Sequence, residues 1–338
     1  MLRRLLCAAS SAGALQQRLR VATFNIHAWR DSSHEDNLER VVACLEGLEA
    51  DVVCLNEVLH PYALDEMYDD ARGRGAYLSA VRDGRMRGAR VGTRQMTSSY
   101  LERLADRAGA VDYRFAEAER DLSFFGAVPF GSAILSKEPI EASEKIFMPS
   151  TPEDTQLGDQ ERDVVESRGG LWARIRLDDG RPLTVATTHL DHKSEELRAK
   201  QMATCLAALP SDNGSLLCGD LNTFCREDHS DDAWQRLVAF YVSKGWTAPK
   251  ENSLVLDMLR NNGYRDAAHD ISLRDKKEGQ KPLPTCWTHN PLFKIDHLWL
   301  SADLDTTVAA YERLDTDASD HFPIYVDLDF FHTSTKEL

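Results

Sequence analysis

Polar side chains suited to acid–base or metal chemistry recur where apolar, strand-like stretches of the sequence end. They are Asn25, Glu57, His189, Asp220, Asn222, Asp296, Asp320 and His321. Ligand sites in α/β proteins gather at strand ends because the loops diverge there. A single buried polar residue is ordinarily satisfied by a local hydrogen bond, whereas this recurrence predicts one shared site.

The residue types in this set favour a hard divalent cation. The carboxylates of Glu57, Asp220 and Asp320 join the amide oxygens of Asn25 and Asn222 in one oxygen-rich group. Such ligands suit Mg²⁺ or Mn²⁺ and do not form a soft-ligand zinc cage. Because Mg²⁺ keeps several waters and needs only one or two carboxylates, the remaining groups are free for acid–base chemistry.

Asp220 and Asn222 are two residues apart, so their side chains point to the same side of an extended chain. One can take a proton from an attacking water while the other holds that water or a phosphate oxygen. His189 and His321 can donate to a phosphoryl group and stabilise the charge of its transition state. Asp296 can fix the tautomer of a histidine, as the aspartate of a catalytic triad does.

The stretch "TTHLDH" at residues 187–192 raises an alternative, because His189, Asp191 and His192 are all potential zinc ligands. A metallo-β-lactamase-type zinc site needs a further histidine two residues before His189, where Thr187 stands. Strand alternation points His189 inward and leaves Asp191 and His192 in the following turn. We therefore expect His189 to contact a phosphate, and a zinc hydrolase built on these three residues is the alternative.

Buried strands and amphipathic helices must position these residues. The apolar runs "RVATFNI" and "DVVCLNEV" predict strands, and the helical spacing of apolar residues between them predicts a helix with Ser33 as its N-cap. This order predicts a βαβ unit with parallel strands. Further strands are predicted at "FGSAILS", "GGLWARIRL", "RPLTVATTHL" and "GSLLCGDLNTF", and a helix at "EELRAKQMATCLAAL". Because no repeat or linker interrupts the pattern, we expect one α/β domain.

Composition and charge limit the class of protein. The 338 residues are 42% hydrophobic and 28% charged, as in ordinary globular domains, and no apolar run reaches the ~20 residues of a transmembrane helix. The formal net charge of −15 disfavours a protein that grips long duplex DNA. Seven cysteines without a CxxC pair predict reduced thiols in an intracellular compartment. We expect a monomer.

The first thirty residues contain five arginines and no Asp or Glu, which is the composition of a mitochondrial transit peptide. We therefore predict a leader over residues 1–19, as a transit peptide or a disordered start, and a domain over residues 20–332. A mitochondrial location follows from the first interpretation and a cytoplasmic location from the second.

Residues 72–94 hold seven arginines against one acid, Asp83, in an otherwise acidic protein. A solvated loop is one interpretation, and a flap that attracts phosphate is the other. In the second interpretation Arg85, Arg87 and Arg90 bind the substrate. Its candidates are single-stranded nucleic acid, an inositol phosphate and a phospholipid headgroup.

Seven motifs in this order resemble the endonuclease/exonuclease/phosphatase superfamily, which includes exonuclease III-like and DNase I-like nucleases. The motifs are "TFNIH", "DVVCLNEV", "FGSAILS", "TTHLD", "CGDLNTF", "KIDHLWLS" and "SDHFPIYVDL", and they span residues 21–328. The resemblance implies a four-layer α/β sandwich, in which two mixed β-sheets pack face to face with helices outside. It also implies in-line cleavage of phosphate ester bonds with Mg²⁺.

The resemblance further implies roles for the metal-binding and water-activating residues. Glu57 would be the principal metal ligand, and Asn25 and Asp320 would contribute to the same site. Asp220 would activate or orient the attacking water, and Asn222 would position it.

It also implies that His321, paired with Asp296, contacts the phosphate and that His189 stabilises the transition state. Two positions depart from the pattern of the superfamily. Many relatives have Asp where His27 stands, so the resemblance does not imply a second carboxylate near the metal in this chain. Many relatives have Gln where Asn56 stands. Asparagine keeps the amide group, but its side chain is shorter.

The leading prediction is a Mg²⁺-dependent phosphoesterase that acts on a phosphodiester of nucleic acid, or on a small phosphorylated metabolite or lipid. The alternative outside enzymes is a catalytically silent binding protein on the same scaffold. Such a protein is expected to lose one of Glu57, Asp220, Asn222 and His321, and all four are present.

Overall fold

The computed structural model describes residues 15–60, 90–91, 94–95, 99–121, 128–149, 168–211, 214–270 and 282–331. In chain order its strands are β1 (Leu15–Asn25), β2 (Val52–Leu59), β3 (Arg90–Val91), β4 (Arg94–Gln95), β5 (Asp112–Asp121), β6 (Val128–Ser136), β7 (Ala142–Phe147), β8 (Gly169–Arg176), β9 (Pro182–His189), β10 (Ser215–Asp220), β11 (Tyr264–Asp266), β12 (Asp296–Ser301), β13 (Thr307–Arg313) and β14 (Ile324–Phe331). Its helices include α1 (Leu38–Leu48), α2 (Tyr100–Arg107), α3 (Glu195–Ala208), α4 (Asp231–Ser243) and α5 (Leu254–Asn261).

The strands form two mixed six-stranded sheets and a separate β3–β4 pair. The first sheet has the order β13-β14-β1-β2-β6-β5, and the second has the order β11-β12-β10-β9-β8-β7. One parallel pair lies in each sheet, β1 with β2 and β9 with β10. Since α1 connects β1 to β2, the predicted βαβ unit is confirmed.

The inner faces of the two sheets share one apolar core. Val21 and Cys54 of the first sheet and Val185, Cys218 and Leu298 of the second are fully buried in it. Alternate residues of each strand point to this core, so side chains two apart are buried together.

Helices cover the outer face of each sheet. Leu45 of α1 and Leu101 of α2 pack on the first sheet, and Met202 of α3 and Leu256 of α5 pack on the second. The layers therefore run helix, sheet, sheet, helix, which confirms the four-layer α/β sandwich.

The predicted N-cap of α1 is wrong. The helix begins at Leu38 with Asn37 as its N-cap residue. The carboxylate of Asp31 accepts hydrogen bonds from the backbone N–H groups of Ser33 and Glu35 at 2.8 and 2.9 Å. Ser33 therefore lies in a turn closed by Asp31, ahead of the helix.

The boundary predicted between residues 19 and 20 cuts through a strand. β1 begins at Leu15, and its residues pair with β14 from Leu15 opposite Phe331 onward. The folded domain thus includes residues 15–19, while a transit peptide ahead of them stays a prediction. Among the described residues, no helix combines the length and the apolar character that a membrane span requires.

Two of the three arginines predicted to bind substrate, Arg85 and Arg87, lie outside the described residues. Arg90 opens the short strand β3, for which the structure describes the backbone alone. The flap therefore stays a prediction.

Candidate active site

The eight polar residues predicted from the sequence converge at one edge of the two sheets. Six of them line a single cavity of about 260 Å³, and these are Glu57, His189, Asp220, Asn222, Asp320 and His321. Asn25 and Asp296 contact members of this group directly. Residues far apart in the chain meet here because the strands that carry them lie side by side or face one another across the core.

Asp220 is the centre of the cluster. Its Oδ2 atom lies 3.4 Å from Nε2 of His189 and 3.7 Å from Nε2 of His321. Asn25 Nδ2 donates to the same oxygen at 3.1 Å. Burial, together with the carboxylates of Asp296 and Glu57, raises the pKa of Asp220 to about 7.

The amide of Asn25 is oriented by a hydrogen bond on each side. Its Oδ1 atom accepts from the backbone N–H of His27 at 3.0 Å, and its Nδ2 atom donates to Glu57 Oε1 at 2.9 Å. In this orientation the amide nitrogen faces both Glu57 and Asp220. Asn25 therefore holds the two carboxylates in place, and its role as a metal ligand stays a prediction.

Glu57 reaches the cavity from an irregularity in β2. The register between β2 and β6 shifts between Leu55 and Val58. Glu57 itself has φ of +56°, a left-handed conformation that costs energy for a non-glycine residue. Such bulges redirect a side chain next to a functional site, and this one turns the Glu57 carboxylate toward Asp220.

Asn56 links the two sheets beneath the cavity. Its Oδ1 atom accepts from the backbone N–H of Asp220 at 2.9 Å, and its Nδ2 atom donates to Ser132 Oγ at 3.0 Å and to Thr187 Oγ1 at 3.3 Å. The asparagine is therefore long enough to position Asp220, although relatives often have Gln at this place.

Gly219 allows β10 to lie close to its neighbour β9 in the same sheet and to Asn56 of the other sheet. It has φ of +127°, and a Cβ atom added there would lie 2.1 Å from the carbonyl oxygen of Thr188 and 3.0 Å from Asn56 Oδ1. Only glycine fits, because both the backbone conformation and the available space exclude a side chain.

His321 is held by a carboxylate and a thiol. Its Nδ1 atom lies 2.9 Å from Asp296 Oδ2, and its Nε2 atom lies 3.4 Å from Cys286 Sγ. Burial disfavours the charged imidazole, but Cys286 and Asp296 outweigh that effect and raise the pKa of His321 well above its ordinary value. A protonated His321 can donate to an anionic group in the cavity.

Arg168 is a residue of the site that the sequence analysis missed. It is buried, and its Nη1 atom lies 2.9 Å from both ring nitrogens of His189, while Nη2 lies 3.1 Å from His192 Nδ1. Burial and this guanidinium lower the pKa of His189 well below its ordinary value, so its imidazole is neutral. The feature that indicates Arg168 is the antiparallel pairing of β8 with β9. This pairing places Gly169, the residue after Arg168, opposite His189.

Asp191, one of the three residues of the zinc alternative, closes the turn that follows β9. Its Oδ1 atom accepts from the backbone N–H groups of Lys193 and Ser194 at 2.8 and 2.6 Å. His189 instead groups with Glu57 and Asp220, and one potential ligand atom from each of these three residues lies within 4.8 Å of the others. The geometry therefore favours a site with carboxylate oxygens.

Asp320 enters the cavity from the loop before β14. The Oγ atom of Ser319 donates to the backbone carbonyl of Asn25 at 2.8 Å, which fixes this loop to the end of β1. Asp320 Oδ1 lies 3.6 Å from His27 Nδ1. His27 therefore supplies an imidazole beside Asp320.

Solved structures share this fold. An endonuclease/exonuclease/phosphatase from Beutenbergia cavernae has a TM-score of 0.63 at 19% identity, and the match covers 93% of this chain and 72% of that one. The human Nocturnin catalytic domain with bound sulfate has a TM-score of 0.54 at 16% identity, covering 94% of each chain. A mannosyl-6-phosphatase from Bacteroides thetaiotaomicron has a TM-score of 0.53 at 14% identity, covering 92% of this chain and all of that one.

No curated protein matches the sequence. The model of the family described as "Endonuclease/Exonuclease/phosphatase family" matches residues 22–321, which include the eight polar residues of the site. This match agrees with the polar residues at the strand ends and with the two mixed sheets. The chain belongs to the endonuclease/exonuclease/phosphatase family.

Proposed function

We propose that this protein is a Mg²⁺-dependent phosphoesterase that cleaves a phosphate ester by in-line attack of an activated water. The observation that supports it best is the position of Asp220, whose Oδ2 atom faces the imidazoles of His189 and His321 at 3.4 and 3.7 Å. A base and two donors around one point are what hydrolysis of a phosphoryl group needs.

The donor set fits a hard cation. Glu57 and Asp220 bring their carboxylate oxygens close together, and Asp320 lines the same cavity. Glu57 would be the principal ligand, with Asp320 contributing, and Asn25 would contribute through Oδ1 once its amide turns over from the orientation in which Nδ2 faces the carboxylates. Mg²⁺ bound there would supply Lewis-acid polarisation of the phosphoryl oxygens, and Mn²⁺ suits the same oxygen ligands.

Asp220 would accept the proton of the attacking water. In the metal-free protein, burial raises the pKa of Asp220 above that of an ordinary carboxyl group, and a higher pKa makes a carboxylate a better base. Asn222 has φ of +46° and donates through Nδ2 to the carbonyl of Leu190 at 3.0 Å, while its backbone N–H donates to Asp220 Oδ1 at 3.0 Å. These contacts would hold its amide where it positions the water.

The two histidines would stabilise the charge that develops on the phosphoryl oxygens. His321, kept in orientation by Asp296, would donate from Nε2 to the phosphate. His189 is neutral and would donate one N–H, with Arg168 beside it as a fixed positive charge. Preorganised donors in a buried site are worth several kcal/mol to a transition state of this kind, roughly 3–4 per donor.

Hydrolysis of bis-p-nitrophenyl phosphate by protein stripped of metal tests this proposal. We expect Mg²⁺ or Mn²⁺ to restore activity and Asp220→Asn to lower kcat at least 1,000-fold, with Asp303→Asn, an exposed carboxylate, as the matched control. Restoration by Zn²⁺ alone would favour the zinc hydrolase. Full activity of Asp220→Asn would refute the mechanism, and complete inactivity of the wild-type protein on all phosphoesters would favour the silent binding protein.

The cell compartment, the oligomeric state and the substrate are part of the proposal. We propose an intracellular monomer acting on single-stranded nucleic acid, an inositol phosphate or a phospholipid headgroup. A panel with Mg²⁺ that contains single-stranded DNA and RNA, inositol phosphates and sphingomyelin separates these substrates, and it separates monoesters from diesters.

A further inference from the structure

An aromatic wall forms one side of the catalytic cavity. It consists of Phe224, Phe240, Tyr241, Trp246, Trp287 and Phe293. Phe224, Tyr241 and Phe293 are its buried members, whereas Phe240, Trp246 and Trp287 are half-buried. All six rings belong to one hydrophobic cluster, and its three half-buried members present part of their surface to the polar hydrolytic site.

The rings of the wall support one another. The Phe240 ring lies 4.8 Å from that of Trp287 and 6.0 Å from that of Trp246, at interplanar angles of 84° and 85°. Phe293 lies 4.4 Å from Trp287. Edge-to-face contacts of this kind are favourable and fix ring orientation, so the wall is a preorganised surface.

Both ends of the wall adjoin residues that neighbour the proposed phosphate-binding and metal-binding groups. The Trp246 ring lies 5.1 Å from that of His192, which in turn contacts Arg168. At the other end, the backbone N–H of Thr288, next to Trp287, donates to the carbonyl of Asp320 at 3.1 Å. A phosphate bound at Asp220 would therefore place its nearest substituent against the wall.

The charges of the cavity restrict that substituent. Among its described lining residues, Arg168 is the single arginine and lysine is absent. An inositol polyphosphate would need further cationic side chains for its additional phosphates, and these would have to come from the predicted arginine flap, outside the described lining. A quaternary ammonium is attracted by aromatic faces, but here it would share the cavity with the Arg168 guanidinium. A neutral, flat group needs no further cationic side chain and is not repelled by the Arg168 guanidinium.

We propose that the aromatic wall binds a nucleobase, so that the substrate contains a nucleotide unit whose base contacts Trp246 and Trp287. This inference rests on the proposed phosphoesterase function, because it places the phosphate at Asp220. Every nucleobase has a π-face, and its stacking on an aromatic side chain is strong enough to change affinity roughly tenfold or more. The cavity of about 260 Å³ suits one nucleotide rather than a duplex.

The test compares AMP with ribose 5-phosphate, which has the same sugar and phosphate without the base. Both are titrated as inhibitors of bis-p-nitrophenyl phosphate hydrolysis in Mg²⁺, with phosphocholine as a third inhibitor. We expect the inhibition constant of AMP to be at least tenfold lower than that of ribose 5-phosphate. Trp287→Leu and Trp246→Leu should remove this difference and leave inhibition by ribose 5-phosphate unchanged.

Trp287→Phe keeps an aromatic ring and should retain most of the preference for AMP. Phe147→Leu, which removes an aromatic ring that is 74% exposed, is the matched control and should behave as wild type. Circular dichroism establishes that each variant is folded.

Equal inhibition by AMP and ribose 5-phosphate, or tighter binding of phosphocholine than of AMP, would overturn the inference. Absence of hydrolysis by the wild-type protein would count against the proposed function instead. In that case calorimetric titration with AMP and with ribose 5-phosphate decides the inference separately, because it needs no turnover.

Discussion

The imidazole of His321 and the carboxylate of Asp296 form a buried pair with Nδ1 and Oδ2 2.9 Å apart. Asp296 opens β12 and His321 precedes β14, so the pair joins the two sheets at the edge where the cavity lies. The backbone N–H of Asp296 donates to Thr285 Oγ1 at 3.1 Å, which fixes the start of that strand. This pair directs Nε2 of His321 toward Asp220.

Asp296→Asn should lower kcat about 100-fold or more while the fold is retained. The amide keeps the size of the side chain, but it can donate to Nδ1 and so favour the wrong tautomer of His321. Steady-state kinetics on bis-p-nitrophenyl phosphate measure the effect, and Asp303→Asn is the control. A wild-type kcat in Asp296→Asn would mean that the pair has no part in orienting His321.

Arg168→Lys should lower kcat about 10- to 100-fold. Lysine keeps the positive charge, but a single ammonium cannot bridge His189 and His192 as the planar guanidinium does. Arg176→Lys, at the exposed end of β8, the strand that directly follows Arg168, is the matched control and should retain wild-type activity. If both variants have the same kcat, charge alone accounts for the role of Arg168.

Gly219→Ala should destabilise the protein by more than about 3 kcal/mol, because its Cβ would overlap the carbonyl oxygen of Thr188 at 2.1 Å. Gly180→Ala is the matched control. Gly180 also has positive φ, +82°, but no atom lies within 4 Å of the added Cβ, so only a backbone cost of about 1 kcal/mol is expected. Urea unfolding measures both, and equal losses would contradict the close packing of Gly219 against Thr188 of the neighbouring strand.

His269 should make stability depend on pH in the alkaline range. Its hydrogen bonds to Asp228 and Cys225 raise the pKa of His269 from 6.5 to about 10. The pKa is higher in the folded state, so the stabilisation is complete below pH 6.5 and is lost as the pH rises through 10. Because the side chain is 38% exposed, solvent screening reduces the effect to on the order of 1 kcal/mol.

Urea unfolding at pH 6.5 and pH 10 compares wild type with His269→Gln, which should lose less stability over this interval. His34→Gln, an exposed histidine, should keep the wild-type dependence. The same loss in all three proteins would assign the pH dependence to other groups.

Local patterns in the sequence were sufficient for the strands and for the chemical types in the site. Apolar runs predicted β1, β2, β9 and β10, since each buried strand needs a continuous set of side chains without charge. Each run ends on a polar residue of the cavity, so Asn25, Glu57, His189 and Asp220 were found without coordinates. The N-cap of α1 was misplaced, because Ser33 is next to an aspartate that closes a competing turn.

The sequence by itself determined the family, the order of the elements and the oxygen-rich character of the site, because motifs and periodicity are local properties of the chain. Only the tertiary structure decided that Arg168 contacts His189, that Asn56 reaches across to Asp220, and that six aromatic residues gather on one side of the cavity. These contacts join residues distant in sequence. They depend on strand pairing and on packing between the sheets, which arise from the burial of many side chains together.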